Sequence, residues 1–325
     1  MNNSITDVPG ILVGHADDRS AATGCTVVLC EAGAVAGVDV RGGAPGTRET
    51  DCLNPVNAAP VVHAVYVGGG SAFGLEGATG VMRYLESKGI GLDVGVGKVP
   101  LVPGAVLFDL AVGDPHGRPN AAMGEKACRN AGISVLQGNV GAGTGAAVGR
   151  AAGVSFMMKG GTGTASVNAG ELCVGALTAV NCYGDVHDPE TGSILAGTLN
   201  RARDGFADTV QLLCRGPLCL NPFGGTSTTI AVVATNARLS KAEATRIAIM
   251  AQDGLARAIV PVHTTFDGDT VFALSIGKVE ADATVVGTLA ALAVSRAIAN
   301  AVRSAVSAYG LPSHTEIRLK AAVGK

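Results

Sequence analysis

Short apolar runs rich in valine, most of them bounded by glycine, constrain the fold of this chain more than any other feature. Such runs are typical of buried strands, and glycine supplies tight turns and close packing of helices on strands. They occupy residues 26–30, 61–67, 171–182, 229–235 and 271–277. We therefore predict a buried strand at each of these places.

Three segments have helical character. Residues 74–88 carry apolar side chains at helical spacing, and residues 241–258 follow a capping box formed by Ser240 and Glu243. Residues 283–306 are apolar almost all round, which predicts a helix buried between layers. Strands and helices in successive blocks favour sheets covered by helices. Because the 325 residues contain no obvious linker or repeat, we expect a single domain over residues 1–325.

Charge and composition narrow the classes of partner. The formal charge is -2, from 24 basic and 26 acidic residues, and aromatic residues make up 3% with no tryptophan. This leaves no basic surface for nucleic acid and few rings for stacking bases. The mean hydropathy is +0.36, but glycine, asparagine and glutamine interrupt the uncharged stretches. We therefore expect neither a nucleic-acid partner nor a membrane partner.

The N-terminus and the cysteines indicate a cytoplasmic protein. Residues 1–10 lack the basic start and apolar core of a signal peptide. The eight cysteines form no C-x-x-C pair, and most lie in apolar runs. We expect buried free thiols in a reducing compartment.

The glycine-rich segments do not fit the usual cofactor motifs. Residues 141–149 lack the third glycine of G-x-G-x-x-G, and residues 95–99 lack the flanking residues of a phosphate loop. There is no G-x-S-x-G elbow, and no two histidines are four residues apart. The sequence therefore predicts no cofactor and no metal site.

Four consecutive hydroxyl residues, Thr226 to Thr229, precede the apolar run at residues 229–235. They form either a turn whose hydroxyls satisfy backbone groups or a site with a nucleophilic hydroxyl. A hydroxyl needs a nearby base, and the surrounding sequence contains no histidine. One solution is self-cleavage before a threonine, because the freed α-amine, with a pKa near 8, then serves as the base.

Three other places carry candidate site residues, each with an ordinary alternative. Asp267 and Asp269 flank a glycine and form either a turn or a coupled pair of carboxylates. Asn181 ends an apolar strand, where it forms a turn or directs its amide at an oxyanion. Lys159 precedes two glycines and is either a surface residue or a charge held over backbone amides.

Seven motifs in order carry a family resemblance. They are residues 41–51, 69–85, 99–110, 141–149, 159–166, 227–241 and 263–274. With these motifs the chain resembles the L-aminopeptidase/D-esterase family, the DmpA-type self-processing peptidases, which includes β-aminopeptidases and nylon-oligomer hydrolases. The match runs from about residue 5 to about residue 310, so it covers nearly the whole chain.

The resemblance implies a four-layer α-β-β-α sandwich of the N-terminal-nucleophile type and a single catalytic domain. It places self-cleavage between Ser227 and Thr228, giving subunits 1–227 and 228–325 with Thr228 as the nucleophile. Thr226 and Thr229 are then bystanders, with Thr229 on the opposite face of the strand.

The other candidate residues also acquire roles from the resemblance. Asn181 matches the family's oxyanion asparagine, and Asp267 and Asp269 match the pair that positions the new amine. The implied substrate is a small peptide or an amino-acid amide or ester with a free amine. The implied assembly is a homo-oligomer, a tetramer of processed heterodimers.

Two positions depart from the family pattern. Phe108 stands where some members have a tyrosine that helps to hold the oxyanion. Arg150 stands where some nylon-oligomer hydrolases have a catalytic lysine, and arginine holds charge but does not act as a base. Lys159 is then the weaker substitute for that lysine. The alternatives are acyl transfer to an amine, as in ornithine acetyltransferase, and an uncleaved homologue without activity.

Overall fold

A computed structural model describes residues 2–216 and 227–323 of the chain. Thr226 and Cys219 lie outside these ranges. The strands are β1 (Leu12–Asp18), β2 (Thr23–Val40), β3 (Thr47–Arg48), β4 (Val62–Gly68), β5 (Leu92–Asp93), β6 (Lys98–Val99), β7 (Gly104–Val106), β8 (Ala147–Val148), β9 (Met158–Lys159), β10 (Gly161–Ala169), β11 (Leu172–Asn181), β12 (Asp185–His187), β13 (Ile194–Ala196), β14 (Thr228–Ala237), β15 (Ile259–Val260) and β16 (Thr270–Val279). The α-helices are α1 (Gly77–Ser87), α2 (Ala121–Arg129), α3 (Thr209–Cys214), α4 (Lys241–Ala258), α5 (Ala283–Ser304) and α6 (His314–Val323).

The long strand β2 joins two sheets. Its first part pairs with β1 and β4, and its last part pairs with β16. The strand order along the whole path is β10-β11-β14-β16-β2-β4-β7-β3, with β1 beside β2. Strands β14 and β16 run parallel because helix α4 connects them, whereas β11 pairs with β14 in the antiparallel sense.

Alternating side chains divide most of the described interior into three large cores. One core lies between the two sheets and includes Val28, Val65, Leu177, Ile230, Val232 and Phe272. The opposite face of β11 and β14 packs on helices α4 and α5, and the opposite face of β2 and β4 packs on α1 and α2. Two sheets therefore pack face to face with a helical layer on each outer side. The predicted α-β-β-α sandwich is confirmed.

The five predicted strands are all present, as parts of β2, β4, β11, β14 and β16. Helix α4 begins after the predicted capping box, in which Ser240 and Glu243 bond each other's backbone. Strand β10 was not predicted, because glycine and threonine make it a weak strand pattern. A Cβ atom at Gly163 would lie 2.2 Å from the carbonyl oxygen of Ala297, so the glycine lets α5 pack closely on β10.

Helix α5 accounts for much of the apolar character of the C-terminal part. By length and composition it could cross a membrane, but 67% of its most apolar window is buried inside the protein. It packs on α4, β10 and β11, which is the position of a core helix.

Most of the described cysteines are buried free thiols, as predicted. They are Cys25, Cys30, Cys128, Cys173 and Cys182. Cys214 is exposed, which corrects the prediction for that residue.

Candidate active site

Three neighbouring strands bring the predicted site residues together. Thr228 begins β14, Asn181 ends β11, and Asp267 and Asp269 lie directly before β16. Asn181 is opposite Thr228 in the antiparallel register, and Ser227 forms a parallel bridge with Asp267. Pairing of the strands therefore places these three distant parts of the sequence side by side at one end of the sheet.

Thr228 and Thr229 lie on opposite faces of β14. Thr228 has the parity of Ile230, which faces the core between the sheets, whereas Thr229 has the parity of Ala231, which faces the helices. The hydroxyl of Thr229 is buried and has no hydrogen-bond partner within residues 2–216 and 227–323. Thr228 is 3% exposed. The two threonines therefore lie on opposite faces of the strand, as predicted from alternation.

The turn before β16 forms hydrogen bonds with both backbone groups of Ser227, next to the Ser227–Thr228 peptide bond. The Ser227 backbone N–H donates to the Phe266 carbonyl at 2.7 Å, and the Gly268 N–H donates to the Ser227 carbonyl at 2.8 Å. The Thr228 hydroxyl donates to the same Ser227 oxygen at 2.6 Å. A Cβ atom at residue 268 would lie 2.7 Å from Thr228 Oγ1, so a side chain there would displace the hydroxyl.

The two carboxylates of this turn have different partners. Asp269 Oδ1 accepts the Thr229 N–H at 2.7 Å. Asp267 accepts from the Tyr183 N–H at 3.2 Å and from the Thr264 N–H and hydroxyl. Both side chains are 1% exposed. Burial, together with the charge of Asp269, raises the pKa of Asp267 to about 6.

Asn181 is fixed by bonds to both of its amide atoms. Its Oδ1 accepts the Ala147 N–H at 2.9 Å and Arg150 Nη2 at 2.7 Å. Its Nδ2 donates to the Phe108 carbonyl at 3.0 Å, which leaves the second N–H for a further acceptor. The Phe108 backbone thus orients Asn181, although its side chain offers no hydroxyl.

Arg150, which the resemblance marked only as a departure from the family pattern, contacts Asn181 directly. Its side chain is buried beside Asn181, and Nε and Nη1 have no hydrogen-bond partner among the described residues. Burial lowers the pKa of Arg150 to about 10, and the nearby Cys182, Asp109 and Asp267 oppose this shift. A cation on Asn181 Oδ1 polarises the amide and strengthens its N–H groups as donors. Its spacing from Asn181 in the sequence gave no signal of this contact.

The structure corrects both interpretations of Lys159. The side chain is fully buried, and its ammonium donates to the carbonyls of Gly143, Ala146 and Gly160 at 2.7–3.1 Å. It therefore lies neither on the surface nor over backbone amides. Burial lowers the pKa of Lys159 to about 7, and the charge of Asp109 opposes this shift. Lys159 is the strand partner of Ala147 in the β8–β9 pair, and the Ala147 N–H donates to Asn181 Oδ1. Lys159 therefore supports the site through the backbone.

Two aromatic residues beside the site were also missed. Tyr183 stacks on Phe266 with the ring centroids 5.5 Å apart, and its buried hydroxyl has no partner in the described ranges. Its position two residues after Asn181, on the same parity, was the available signal.

A cavity of about 460 Å³ lies elsewhere in the protein. Its lining includes Leu195, Phe206, Arg303 and His314 but none of the candidate site residues.

Solved structures define the class of the fold. The chain superposes on the L-aminopeptidase D-Ala-esterase/amidase from Ochrobactrum anthropi, described as a variant of the Ntn hydrolase fold, with a TM-score of 0.71. The sequence identity is 21%, and the match covers 99% of this chain and 94% of the other. The sandwich therefore has the Ntn hydrolase fold.

Sequence comparison gives the family. Residues 3–316 match the model of peptidase family S58, and the chain belongs to this family. It is 45% identical to an uncharacterized aminopeptidase of Mycobacterium leprae (strain TN), over 96% of this chain and 93% of that protein. It is 28% identical to the 6-aminohexanoate-oligomer endohydrolase of Kocuria sp. (strain KY2), over 92% of this chain and 82% of that protein. The predicted resemblance is confirmed, and family membership supports an aminopeptidase or amidase activity.

Proposed function

We propose that the chain cleaves itself between Ser227 and Thr228 and that Thr228 then acts as the N-terminal nucleophile of an aminopeptidase. The substrates are small peptides or amino-acid amides and esters with a free amine. The observation that carries the proposal is the 2.6 Å contact between Thr228 Oγ1 and the Ser227 carbonyl oxygen. The hydroxyl lies beside the carbonyl that it would attack, and the Gly268 N–H already polarises that carbonyl.

Self-cleavage follows from this geometry as an N-to-O acyl shift. Thr228 Oγ forms a bond to the Ser227 carbonyl carbon, the peptide C–N bond breaks, and the hydroxyl proton passes to the Thr228 nitrogen. The Gly268 N–H holds the oxygen on which negative charge develops. Water then hydrolyses the ester, releasing the Ser227 carboxyl group and leaving Thr228 with a free hydroxyl and a free amine.

Substrate hydrolysis uses the same residue. The α-amine of Thr228 removes the hydroxyl proton as Oγ attacks the substrate carbonyl, and the leaving group departs with a proton. Asn181, backed by Arg150, stabilises the tetrahedral oxyanion with its remaining N–H. Asp267 and Asp269 position the amine, and water activated by that amine hydrolyses the acyl-enzyme. No cofactor or metal takes part in this scheme.

N-terminal sequencing of the smaller fragment tests the site of cleavage. The fragment should begin Thr-Thr-Ile-Ala-Val, at residue 228. A fragment that begins at Thr229, or purified protein that stays uncleaved, would contradict the proposal, and the second result would favour an inactive homologue. Product analysis with an added amine acceptor separates hydrolysis from acyl transfer of the ornithine acetyltransferase kind.

The rate of hydrolysis should fall in acid as the buried carboxylate pair takes up a proton. Asp267 has a pKa raised to about 6, so it is ionised above this pH and protonated below it. After cleavage the α-amine titrates as well, with an ordinary pKa of about 8, so its protonation lowers the rate first. The carboxylate pair lowers the rate further, and because the positive amine favours the ionised pair, we expect this second midpoint at or below about pH 6. A profile of kcat/KM against pH measures this midpoint.

Asp267→Asn should lower the rate and remove the part of the acid limb near pH 6, because the asparagine side chain does not titrate. The control is Asp253→Asn, at an exposed position in α4, which should keep the wild-type profile. An acid limb that is the same in Asp267→Asn and in wild type would show that another group titrates.

A further inference from the structure

His263 has no role in the mechanism above, yet it contacts one of the two buried carboxylates directly. We propose that His263 is a positioning residue whose ring holds Asp269 against the Thr229 N–H and so fixes the backbone of the nucleophile. The inference rests on the proposed function, because it assigns a part in the same reaction. The direct partner of the ring is Asp269 and not Asp267.

The hydrogen bonds show how the ring and the nucleophile are connected. His263 Nδ1 lies 2.9 Å from Asp269 Oδ2, and the His263 backbone N–H donates to the same oxygen at 3.1 Å. The other oxygen, Oδ1, accepts the Thr229 N–H at 2.7 Å. Because a carboxylate only accepts, Nδ1 carries a proton in this contact. One buried carboxylate thus joins the turn at His263 to strand β14 directly beside Thr228.

The backbone at His263 supports a role for the ring itself. Its φ angle is +55°, in the left-handed region where glycine or asparagine is more usual. The side chain is 17% exposed, so most of the ring is enclosed by the protein. If the residue only formed a turn, glycine would adopt this φ angle with less strain. The contact with Asp269 gives a reason for a ring at this position.

The charged groups around the pair do not replace this contact. Asp267 is bonded by Tyr183 and Thr264, and Arg150 interacts electrostatically with Asp267. The buried thiol of Cys182 is also close to the pair, and burial raises its pKa. In the described structure the His263 ring is a side-chain partner of the Asp269 carboxylate, beside the backbone N–H groups of His263 and Thr229. The two carboxylates are therefore unequal, with only one held by a ring.

The effect on Thr228 passes through its peptide group. The Thr229 N–H belongs to the peptide that follows Thr228, so its bond to Asp269 sets the orientation of the whole Thr228 unit. That unit carries both the hydroxyl and the future α-amine. If Asp269 turns away, both groups lose alignment with the reacting carbonyl. We expect a loss in kcat and in the rate of self-cleavage, with KM little changed.

Two substitutions separate the ring from the turn. His263→Gly removes the ring and adopts the positive φ angle without strain. His263→Asn tolerates that angle and keeps an N–H donor near the position of Nδ1. His263→Gly should lower the cleavage rate and kcat by roughly 10- to 100-fold, the range for loss of a hydrogen bond to a charged group. His263→Asn should recover most of this loss.

The measurements are the time course of cleavage on a denaturing gel and steady-state kinetics on an amino-acid amide. Both use the full chain at a temperature where circular dichroism shows every variant folded. His116→Asn, at an exposed histidine, is the matched control and should behave as wild type. A His263→Gly variant as fast as wild type, or one whose loss lies in KM alone, overturns the inference. Wild-type protein that does not cleave overturns the proposed function instead.

Discussion

Replacing Thr228 with alanine should leave a single chain of 32.2 kDa on a denaturing gel, whereas the wild type should separate into two fragments. The substitution removes the hydroxyl that lies 2.6 Å from the Ser227 carbonyl oxygen, so no ester can form. Any peptidase activity should disappear with it. Loss of a hydroxyl nucleophile costs on the order of 10⁶-fold in kcat in a serine peptidase.

Thr229→Val is the matched control for this result. Thr229 is next in the chain and equally buried, but its side chain faces the helices and its hydroxyl has no partner in the described structure. Valine has nearly the same shape, so the variant should fold, cleave and turn over substrate. Cleavage in Thr228→Ala, or its loss only in Thr229→Val, would place the nucleophile elsewhere.

Asn181→Ala should lower the rate of substrate hydrolysis by about 100- to 1000-fold, the usual cost of one oxyanion donor. The alanine variant also removes the acceptor for the Ala147 N–H and Arg150, so part of its effect is structural. Steady-state kinetics measure the loss in kcat, and thermal unfolding measures the loss in stability.

Asn181→Asp separates the two effects. Its carboxylate keeps the acceptor for Ala147 and Arg150 but removes the N–H donors. One carboxylate oxygen then faces the Phe108 carbonyl, so some loss of stability is expected in thermal unfolding. The rate should nevertheless fall as far as in Asn181→Ala. An aspartate variant that retains wild-type kcat would show that Asn181 only orders the site.

Much of the site could be predicted from the sequence because its residues lie at the ends of recognisable strands. The apolar run after Thr229 predicts β14, and alternation then separates Thr228 from Thr229. Asn181 ends a predicted strand in the same way. The order of the seven motifs selected Thr228 among four hydroxyls, a choice that residue types alone left open.

Other residues could not be found in this way, because their roles depend on backbone groups that approach from distant segments. Arg150 contacts Asn181 through a bend of the chain that no periodicity marks. Lys159 donates to three backbone carbonyls. Every residue has a backbone carbonyl, so the residue types do not indicate which carbonyls will meet the lysine. Gly268 matters because its N–H and its missing side chain meet the Ser227–Thr228 peptide.

The sequence by itself determined the five valine-rich strands, the capped helix α4 and the family, since these follow from local pattern and from motifs in order. Only the tertiary structure decided which groups surround Thr228. Register across β11, β14 and β16 sets the neighbours of a residue, and register depends on packing between the layers. His263 illustrates the difference. It lies 35 positions after Thr228 in the sequence, yet a single carboxylate connects its ring to the peptide that follows Thr228.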